Sequence, residues 1–565
     1  MKTELLKGIQ PFWFWNGKME KDEIRRQIQE MADKGIRGFL VHPRQGMELP
    51  YLTEDYFDRI GTAVDEAKKH GLEVWLYDEY PYPSGVSAGK VMLDHPEFCC
   101  KALTKTVGTV TGPETIELKA PWGRLLSARA YPMVNGQCDF SEYIDLTDHV
   151  GTGYQDEIFQ LSGLTAYNRK RFFTGVASQY LYWTAPEGEW KVYIFVEEVM
   201  KHFKYFENFV DPLNKDAVRY FIQCTHEQYK ARFGDEFGKT IKGIFTDETT
   251  AFPPQQPWSP LLPDMIREKY GRDIIDVLPA LTEDMGPDTQ RIRFEYWDTA
   301  TDAFIESYDK QIYDWCEENH LMYIGEKPIL RSKELEFVHV PGTDAGHAKV
   351  GAKVDPLPGK YRANGKVISS AAHFYHKPAA LCEAFHSIGW GMTQQDMKWI
   401  FDWLAMSGVD WYVQHAFYYT TDGLKKHDAP PSSFCQMPWW KEQKLLSRYA
   451  DGLGKMLGGL KRHVSTLLVD PATSSWVLVG EEKKEQENAL STVMNALLRA
   501  GCDFYMVDPQ LLAKASIETR EGQTVVMLNG EVYDSIVMPN MNHVEDCAYR
   551  LLREYAEQGG LLVAA

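Results

Sequence analysis

The feature that most constrains the fold is an alternation of short apolar runs with charged helical stretches, each punctuated by glycine. Gln10-Pro11-Phe12-Trp13-Phe14-Trp15 reads as a buried strand. Residues 20–34 read as a helix stopped at Gly35, and 36–42 as a second strand. A helix over 54–70 stops at Gly71, and 72–77 comes next as a third strand. Repeated βαβ units with glycine stops imply a parallel sheet.

The alternation breaks near Pro96. Residues 101–190 hold Thr/Val-rich pieces and glycine turns without a long amphipathic helix, which reads as an inserted β-rich module. Alternation then resumes, with a helix over 216–233 and strands at 241–246, 321–324, 338–340, 379–382 and 410–415. That makes eight strands by about residue 418, and the expected architecture is α/β, a (β/α)8 TIM barrel. After a helical linker a second α/β pattern begins, with strands expected at 476–479, 503–507 and 535–539 and helices at 485–500 and 544–558. This predicts a partial, flavodoxin-like (class I amidotransferase-like) domain. The pattern ends on what should be an interior strand, so the natural chain is expected to continue. The expected boundaries are 1–95 for the first part of the barrel, 96–190 for the β-rich module and 191–438 for the rest of the barrel. The linker takes 439–465 and the flavodoxin-like domain 466–565.

Composition excludes several functions. The 565 residues carry 61 Lys+Arg against 80 Asp+Glu, a net charge of −19. Nucleic-acid binders draw their affinity from Lys and Arg on phosphate, and anionic membranes attract basic segments, so neither partner is expected. Nine scattered cysteines without a CxxC motif read as reduced, buried thiols. No apolar run spans a membrane and the N-terminus lacks a secretory h-region, which predicts a cytoplasmic protein unless a signal has been trimmed. Self-association into a homo-oligomer stays open. Abundant aromatic residues, with 16 Trp, serve either cores or sugar faces.

Barrel chemistry collects after the C-terminal ends of strands. Those positions hold Trp13, Trp15 and Asn16; His42 and Arg44; Asp78, Glu79 and Tyr82; Asp247 and Glu248; Glu326; Asp344 and His347; Glu383 and His386; His415 and Tyr418. The set is acidic, aromatic and histidine-rich. It contains no serine elbow, P-loop, strand-borne GxGxxG or HExxH. Two carboxylates across an aromatic cleft suit glycoside hydrolysis, one protonating the leaving oxygen and the other acting as nucleophile or activating water. Glu248 and Glu383 are the best pair, each directly after a short apolar run. A lone loop glutamate is ordinarily just solvated; the surrounding rim argues for function here. His42, His386 and His415 suit sugar hydroxyls, and Asp78-Glu79 suits hydroxyls or a hard cation. Core packing is the expected use of most of Phe12, Trp13, Phe14 and Trp15.

Three stretches resemble glycoside hydrolase family 106, the α-L-rhamnosidases: Pro11-Phe12-Trp13-Phe14-Trp15-Asn16-Gly17, Gly38-Phe39-Leu40-Val41-His42-Pro43-Arg44, and Tyr77-Asp78-Glu79 with Tyr82-Pro83-Ser84-Gly85. The resemblance continues through Asp211-Pro212-Leu213-Asn214, Thr246-Asp247-Glu248, Glu383 with Gly389-Trp390, and Gln414-His415-Ala416-Phe417-Tyr418. It implies an inverting enzyme on a carbohydrate substrate, with Glu248 as general acid, Glu383 as general base and Ca²⁺ in the sugar site. It also implies a sugar pocket built from Trp15, His42, Arg44, Asp78, Glu79, Tyr82, Asp247, Glu326, His386, Trp390, His415 and Tyr418. The residues themselves call for no cofactor, and no EF-hand loop is present. A barrel followed by an amidotransferase-like domain is also similar to the retaining family 42 β-galactosidases, whose acid follows an Asn where this chain has Asp247. A non-catalytic carbohydrate-binding barrel is the third reading.

Overall fold

The computed structural model describes residues 7–158, 173–201, 206, 208–249, 256–345, 364–458, 460 and 462–565. Eight parallel strands pair in chain order: β1 (Phe12–Trp15), β2 (Gly38–Pro43), β3 (Glu73–Tyr77), β4 (Ile241–Asp247), β5 (Met322–Glu326), β6 (Val340–Asp344), β7 (Leu381–Ala384) and β8 (Trp411–Gln414). Short extensions join the two ends. Gly8–Ile9 pairs with β8, and Phe417–Tyr418 pairs with β1. The result is a curled, barrel-like parallel sheet.

Period-two alternation sorts the aromatic first strand into two faces. Phe12 and Phe14 turn inward and join Leu40, Trp75, Tyr77, Phe245, Ile324, Leu381 and Val413 in one buried cluster. Trp13 and Trp15 take the other face. The Trp13 indole donates to Gln27 Oε1 at 2.8 Å on the helix Lys21–Asp33, and Trp15 meets Tyr56 edge-on at 5.8 Å on the helix Glu54–His70. That second helix has Thr53 as its N-cap and left-handed Gly71 as its C-cap.

β7 lies two residues further along than the sequence pattern places it, and β6 starts two residues later and ends four later, so Asp344 and Glu383 end or nearly end their strands. Glycine permits the close contact beneath the rim. A Cβ on Gly325 would lie 2.2 Å from the Thr246 carbonyl oxygen, and one on Gly342 would lie 2.1 Å from that of Gly325.

Residues 97–214 and 251–300 form a separate compact unit. Its larger sheet is antiparallel and places Gly188–Val199 between Lys101–Gly112 and Arg124–Val134. A smaller sheet pairs Val150–Ile158, Phe173–Thr184 and Thr115–Ala120. The boundary expected at residue 190 is therefore displaced, because Gly188–Val199 pairs with Lys101–Gly112 along its whole length. Residues 251–300, expected with the barrel, also cluster here.

The C-terminal part holds a second parallel sheet of β9 (Thr466–Val469), β10 (Phe504–Val507), β11 (Ser535–Met538) and β12 (Leu561–Ala564), in the order β10-β9-β11-β12. The strand expected at 476–479 is corrected: Ala472–Val477 is a helix, and the strand is Thr466–Val469. The Asp470 carboxylate accepts the Ala472 N–H at 2.9 Å and opens the helix. The apolar run Trp476–Val479 straddles the end of this short helix and is too brief for a period that distinguishes helix from strand. A three-stranded antiparallel sheet over Ser516–Arg520, Gln523–Leu528 and Glu531–Tyr533 completes this part.

All nine cysteines are free thiols. No helix among the described residues is long and apolar enough to cross a membrane.

His226 is fully buried between Phe221 and Trp315, 3.9 Å from the Asp78 carboxylate, and burial pushes its pKa down to about 3. A depressed histidine pKa means that the unfolded chain takes up the proton first as pH falls below 6.5. Its contribution is complete above that value and is lost towards pH 3. Stability is then expected to fall by about 1.4 kcal/mol per pH unit below 6.5 through this group. The comparison of wild type with His226→Phe in urea unfolding from pH 7 to 4 isolates the effect. Parallel pH profiles of the two proteins would refute it.

Candidate active site

The C-terminal ends of the barrel-like strands enclose a cavity of about 170 Å³. Five carboxylates line it: Asp247 and Glu248 from the end of β4, Glu326 from β5, Asp344 from β6 and Glu383 from β7. Oxygens of Asp247, Glu326 and Glu383 lie within 4.8 Å of one another, as do oxygens of Glu248, Glu326 and Asp344. Glu326 therefore stands beside both members of the Glu248/Glu383 pair.

Backbone geometry aims these groups. Glu248 sits in the left-handed region at φ +47°, and its N–H donates to the Glu326 carbonyl oxygen at 2.9 Å. A non-glycine residue held there stores strain of the kind that collects at functional sites. Ser84 clamps the preceding residue, its N–H donating to the Asp247 carbonyl oxygen and its Oγ accepting the Asp247 N–H, both at 2.8 Å. The Tyr77 hydroxyl donates to the Asp247 carboxylate. Thr249 Oγ1 donates to the Ser84 carbonyl oxygen at 2.8 Å and lies 2.9 Å from the Tyr308 hydroxyl. Tyr308 belongs to a π-helical turn, Ile305–Asp309. The next residue of that turn, Asp309, pairs with buried Lys327, the neighbour of Glu326.

The basic and aromatic wall comes from β1, β2, β7 and β8. His42 stacks on Tyr77 with ring centroids 3.8 Å apart. Its Nδ1 lies 2.9 Å from the Pro43 carbonyl oxygen, so Nδ1 carries the proton and Nε2 accepts from Arg44 Nη1 at 3.3 Å. Burial, then the Arg44 charge, holds its pKa well below the usual histidine range. It is neutral at physiological pH. Arg44 makes a two-pronged pair with Asp428 at 2.7 and 2.8 Å and lies over the rings of Phe14 and Tyr82. His386 Nε2 lies 3.3 Å from Asp344 Oδ1, and the His386 and His415 rings are 5.7 Å apart.

Of the residues expected at the site, Glu248, Glu383, His42, Arg44, Tyr82, Asp247, Glu326, His386 and His415 line the cavity. Five do not. Trp15 faces the helices. Tyr418 stacks on Phe14 at 5.1 Å and donates to the Asp428 carbonyl oxygen. The Trp390 indole donates to the Lys426 carbonyl oxygen at 3.1 Å. Asp78 is fully buried and accepts from Ser84 and Thr246, with burial pushing its pKa well up. Glu79 accepts the backbone N–H groups of Tyr80, Gly85, Val86, Ser87 and Ala88, and burial pushes its pKa up to about 7 against those donors. These two acids hold the loop that presents Tyr82. His347 lies outside the described residues. Phe12, Ser387 and Ala429 line the cavity without having been expected there, and Asp428 steadies Arg44 from behind. No local motif marks Asp428; only its place in the segment after the last strand points to it.

Carboxylates gathered around a small cavity at the C-terminal rim of a curled parallel sheet define a site of the glycoside hydrolase class. The chain belongs to glycoside hydrolase family 106: the alpha-L-rhamnosidase family model matches residues 177–565. That match includes all five carboxylates; His42, Arg44 and Tyr82 precede it.

Solved structures agree at the level of fold. A rhamnosidase from Novosphingobium sp. PP1Y superposes with a TM-score of 0.63 at 15% identity, covering 99% of this chain and 69% of that one. A GH42 β-galactosidase from G. stearothermophilus gives 0.57 at 11% identity, covering 99% and 71%. A β-galactosidase from Halorubrum lacusprofundi gives 0.56 at 11% identity, covering 99% and 72%. No curated protein matches the sequence.

Proposed function

We propose that this protein is an exo-acting glycoside hydrolase that removes a terminal sugar, α-L-rhamnose as the first substrate to test, by inverting catalysis. The convergence of five carboxylates on one cavity of about 170 Å³ carries the reading. A space of that size suits a single terminal ring. On this reading the architecture is a (β/α)8 barrel with a flavodoxin-like C-terminal domain. Glu248 protonates the glycosidic oxygen, and Glu383 stays ionised and takes a proton from the attacking water. Neutral His42 accepts from Arg44 and so orients it, Arg44 donates to the sugar, and Tyr82 packs an apolar sugar face. An aryl-glycoside panel of rhamnose, galactose, fucose and arabinose tests the substrate. Proton NMR of the first product anomer tests inversion. A product of retained configuration would assign the reaction to the retaining, β-galactosidase-like alternative.

The donor set also fits Ca²⁺, a hard cation that takes carboxylate oxygens. Glu326, common to both triads, would hold it, with Asp247 or Asp344 beside it. A bound Ca²⁺ would neutralise the acidic cluster and orient sugar hydroxyls. Chelation is expected to lower both activity and the thermal unfolding midpoint, with Ca²⁺ restoring both. In Glu326→Ala, added Ca²⁺ should no longer move the midpoint. A midpoint insensitive to chelator in wild type would remove the metal from this proposal.

A further inference from the structure

Two fully buried acids, Asp78 and Glu79, follow β3 and line no part of the catalytic cavity. Burying a carboxylate is costly unless donors surround it, so the groups these acids hold indicate their use. Both fix the same residue. Asp78 Oδ1 accepts from the Ser84 hydroxyl at 2.5 Å. Glu79 accepts the four backbone N–H groups that follow Ser84, from Gly85 to Ala88, at 2.6–3.1 Å.

Ser84 in turn grips the chain on both sides of Glu248. Its N–H and Oγ take the carbonyl oxygen and the N–H of Asp247, and its carbonyl oxygen takes the Thr249 hydroxyl, all at 2.8 Å. The second oxygen of Asp78 accepts from Thr246 Oγ1 at 2.6 Å. This pattern fixes the hydroxyl directions. Because Ser84 Oγ accepts from Asp247, its own hydrogen points to Asp78, which accepts from both hydroxyls.

The residue so bracketed is the one under strain. Glu248 lies at φ +47°, and a non-glycine residue persists there only where its surroundings over-determine it. Its own N–H is held from β5, by the Glu326 carbonyl oxygen. The residues before and after it are held from the loop behind β3, by Ser84, which is fully buried.

We infer that Ser84, backed by Asp78, is a positioning residue for the general acid: it holds the backbone turn that aims the Glu248 carboxyl at the glycosidic oxygen. The inference rests on the proposed role of Glu248 and gives the Asp78-Glu79 pair a part in the same step. Ser84 lines no part of the cavity, so its effect passes through Glu248.

Kinetics on the sugar selected by the aryl-glycoside panel test this, with its 4-nitrophenyl glycoside set against a disaccharide carrying it at the non-reducing end. Ser84→Ala leaves the Asp247 N–H without its acceptor and frees the turn. On the disaccharide kcat should fall about tenfold to a hundredfold, the effect of a displacement of about 1 Å, with KM little changed. The fall should be smaller on the aryl glycoside, whose leaving group needs less protonation. In Glu248→Gln the same change should cost almost nothing more, because the group it aims is already gone. Thr249→Val removes one hydroxyl of the bracket without altering the loop; it should show the same dependence on leaving group, and Thr249→Ser should recover most of its loss. That pair decides the matter should Ser84→Ala not fold. A wild-type kcat in Ser84→Ala overturns the inference. So does a loss that adds in full to that of Glu248→Gln, which would place the effect on Tyr82 or Asp247 instead. If no sugar of the panel is cleaved, or Glu248→Gln keeps the full rate, the hydrolase reading itself fails and the inference falls with it.

Discussion

Glu248→Gln is expected to lower kcat by about 10²–10⁴-fold, the usual worth of a general acid, with the far-UV spectrum and the unfolding midpoint unchanged. The amide keeps the shape of the side chain and cannot supply a proton. Its backbone anchor, the N–H donated to the Glu326 carbonyl oxygen, survives the change. Substrates with good leaving groups need less protonation, so the loss should shrink on activated aryl glycosides. Glu383→Gln removes the other proton transfer and should lower kcat by a similar factor on every substrate, whatever its leaving group. That contrast separates the two roles. Near-normal turnover by Glu248→Gln on an unactivated glycoside would mean that the acid lies elsewhere.

Arg331→Ala carries the largest expected effect on stability. Arg331 is buried at 2% exposure in the segment after β5, where it makes two bonds to Asp508 at 2.6 and 2.8 Å and one to Glu545 at 2.6 Å. Both acids belong to the C-terminal α/β part, and the neighbouring Ser332 hydroxyl reaches Asp470 at 2.7 Å. Removing the guanidinium leaves two buried carboxylates unpaired, at a cost of about 3–5 kcal/mol. The urea midpoint should fall accordingly. Arg331→Met combined with Asp508→Asn and Glu545→Gln should recover most of the loss, because the buried charges go together. If Arg331→Ala unfolds at the wild-type midpoint, the network holds nothing together.

The strands of the barrel-like sheet are legible in the sequence because each is a short apolar run, and Gly35 and Gly71 mark where the first two helices stop before the next strand. The acids are legible because such sheets carry chemistry where the strands end. Direction is the part that escapes. Alternation along β1 separates Phe12 and Phe14 from Trp13 and Trp15, but nothing local says which pair faces inward, so the pattern alone leaves the place of Trp15 open. Asp78-Glu79 resembles a ligand pair for sugar or metal; Glu79 holds the backbone of its own loop and Asp78 the hydroxyls of Ser84 and Thr246, and only the fold shows that the loop turns back on them. Trp476 to Val479 resembles a strand because the apolar run straddles the end of a six-residue helix, too short to reveal a period. Asp428 and Tyr308 act on the site from behind, through Arg44 and Thr249, and no spacing rule finds such partners.

The π-helical turn at Ile305–Asp309 carries one residue more than an α-helical turn would hold. Excising that residue would rotate one half of the helix against the other by about 100°. Tyr308 and Asp309 would swing off Thr249 and Lys327 together, loosening two rim acids that come from different strands. A single-codon deletion, remote from the cavity in the chain, would therefore disarrange two adjoining strand ends of it at once.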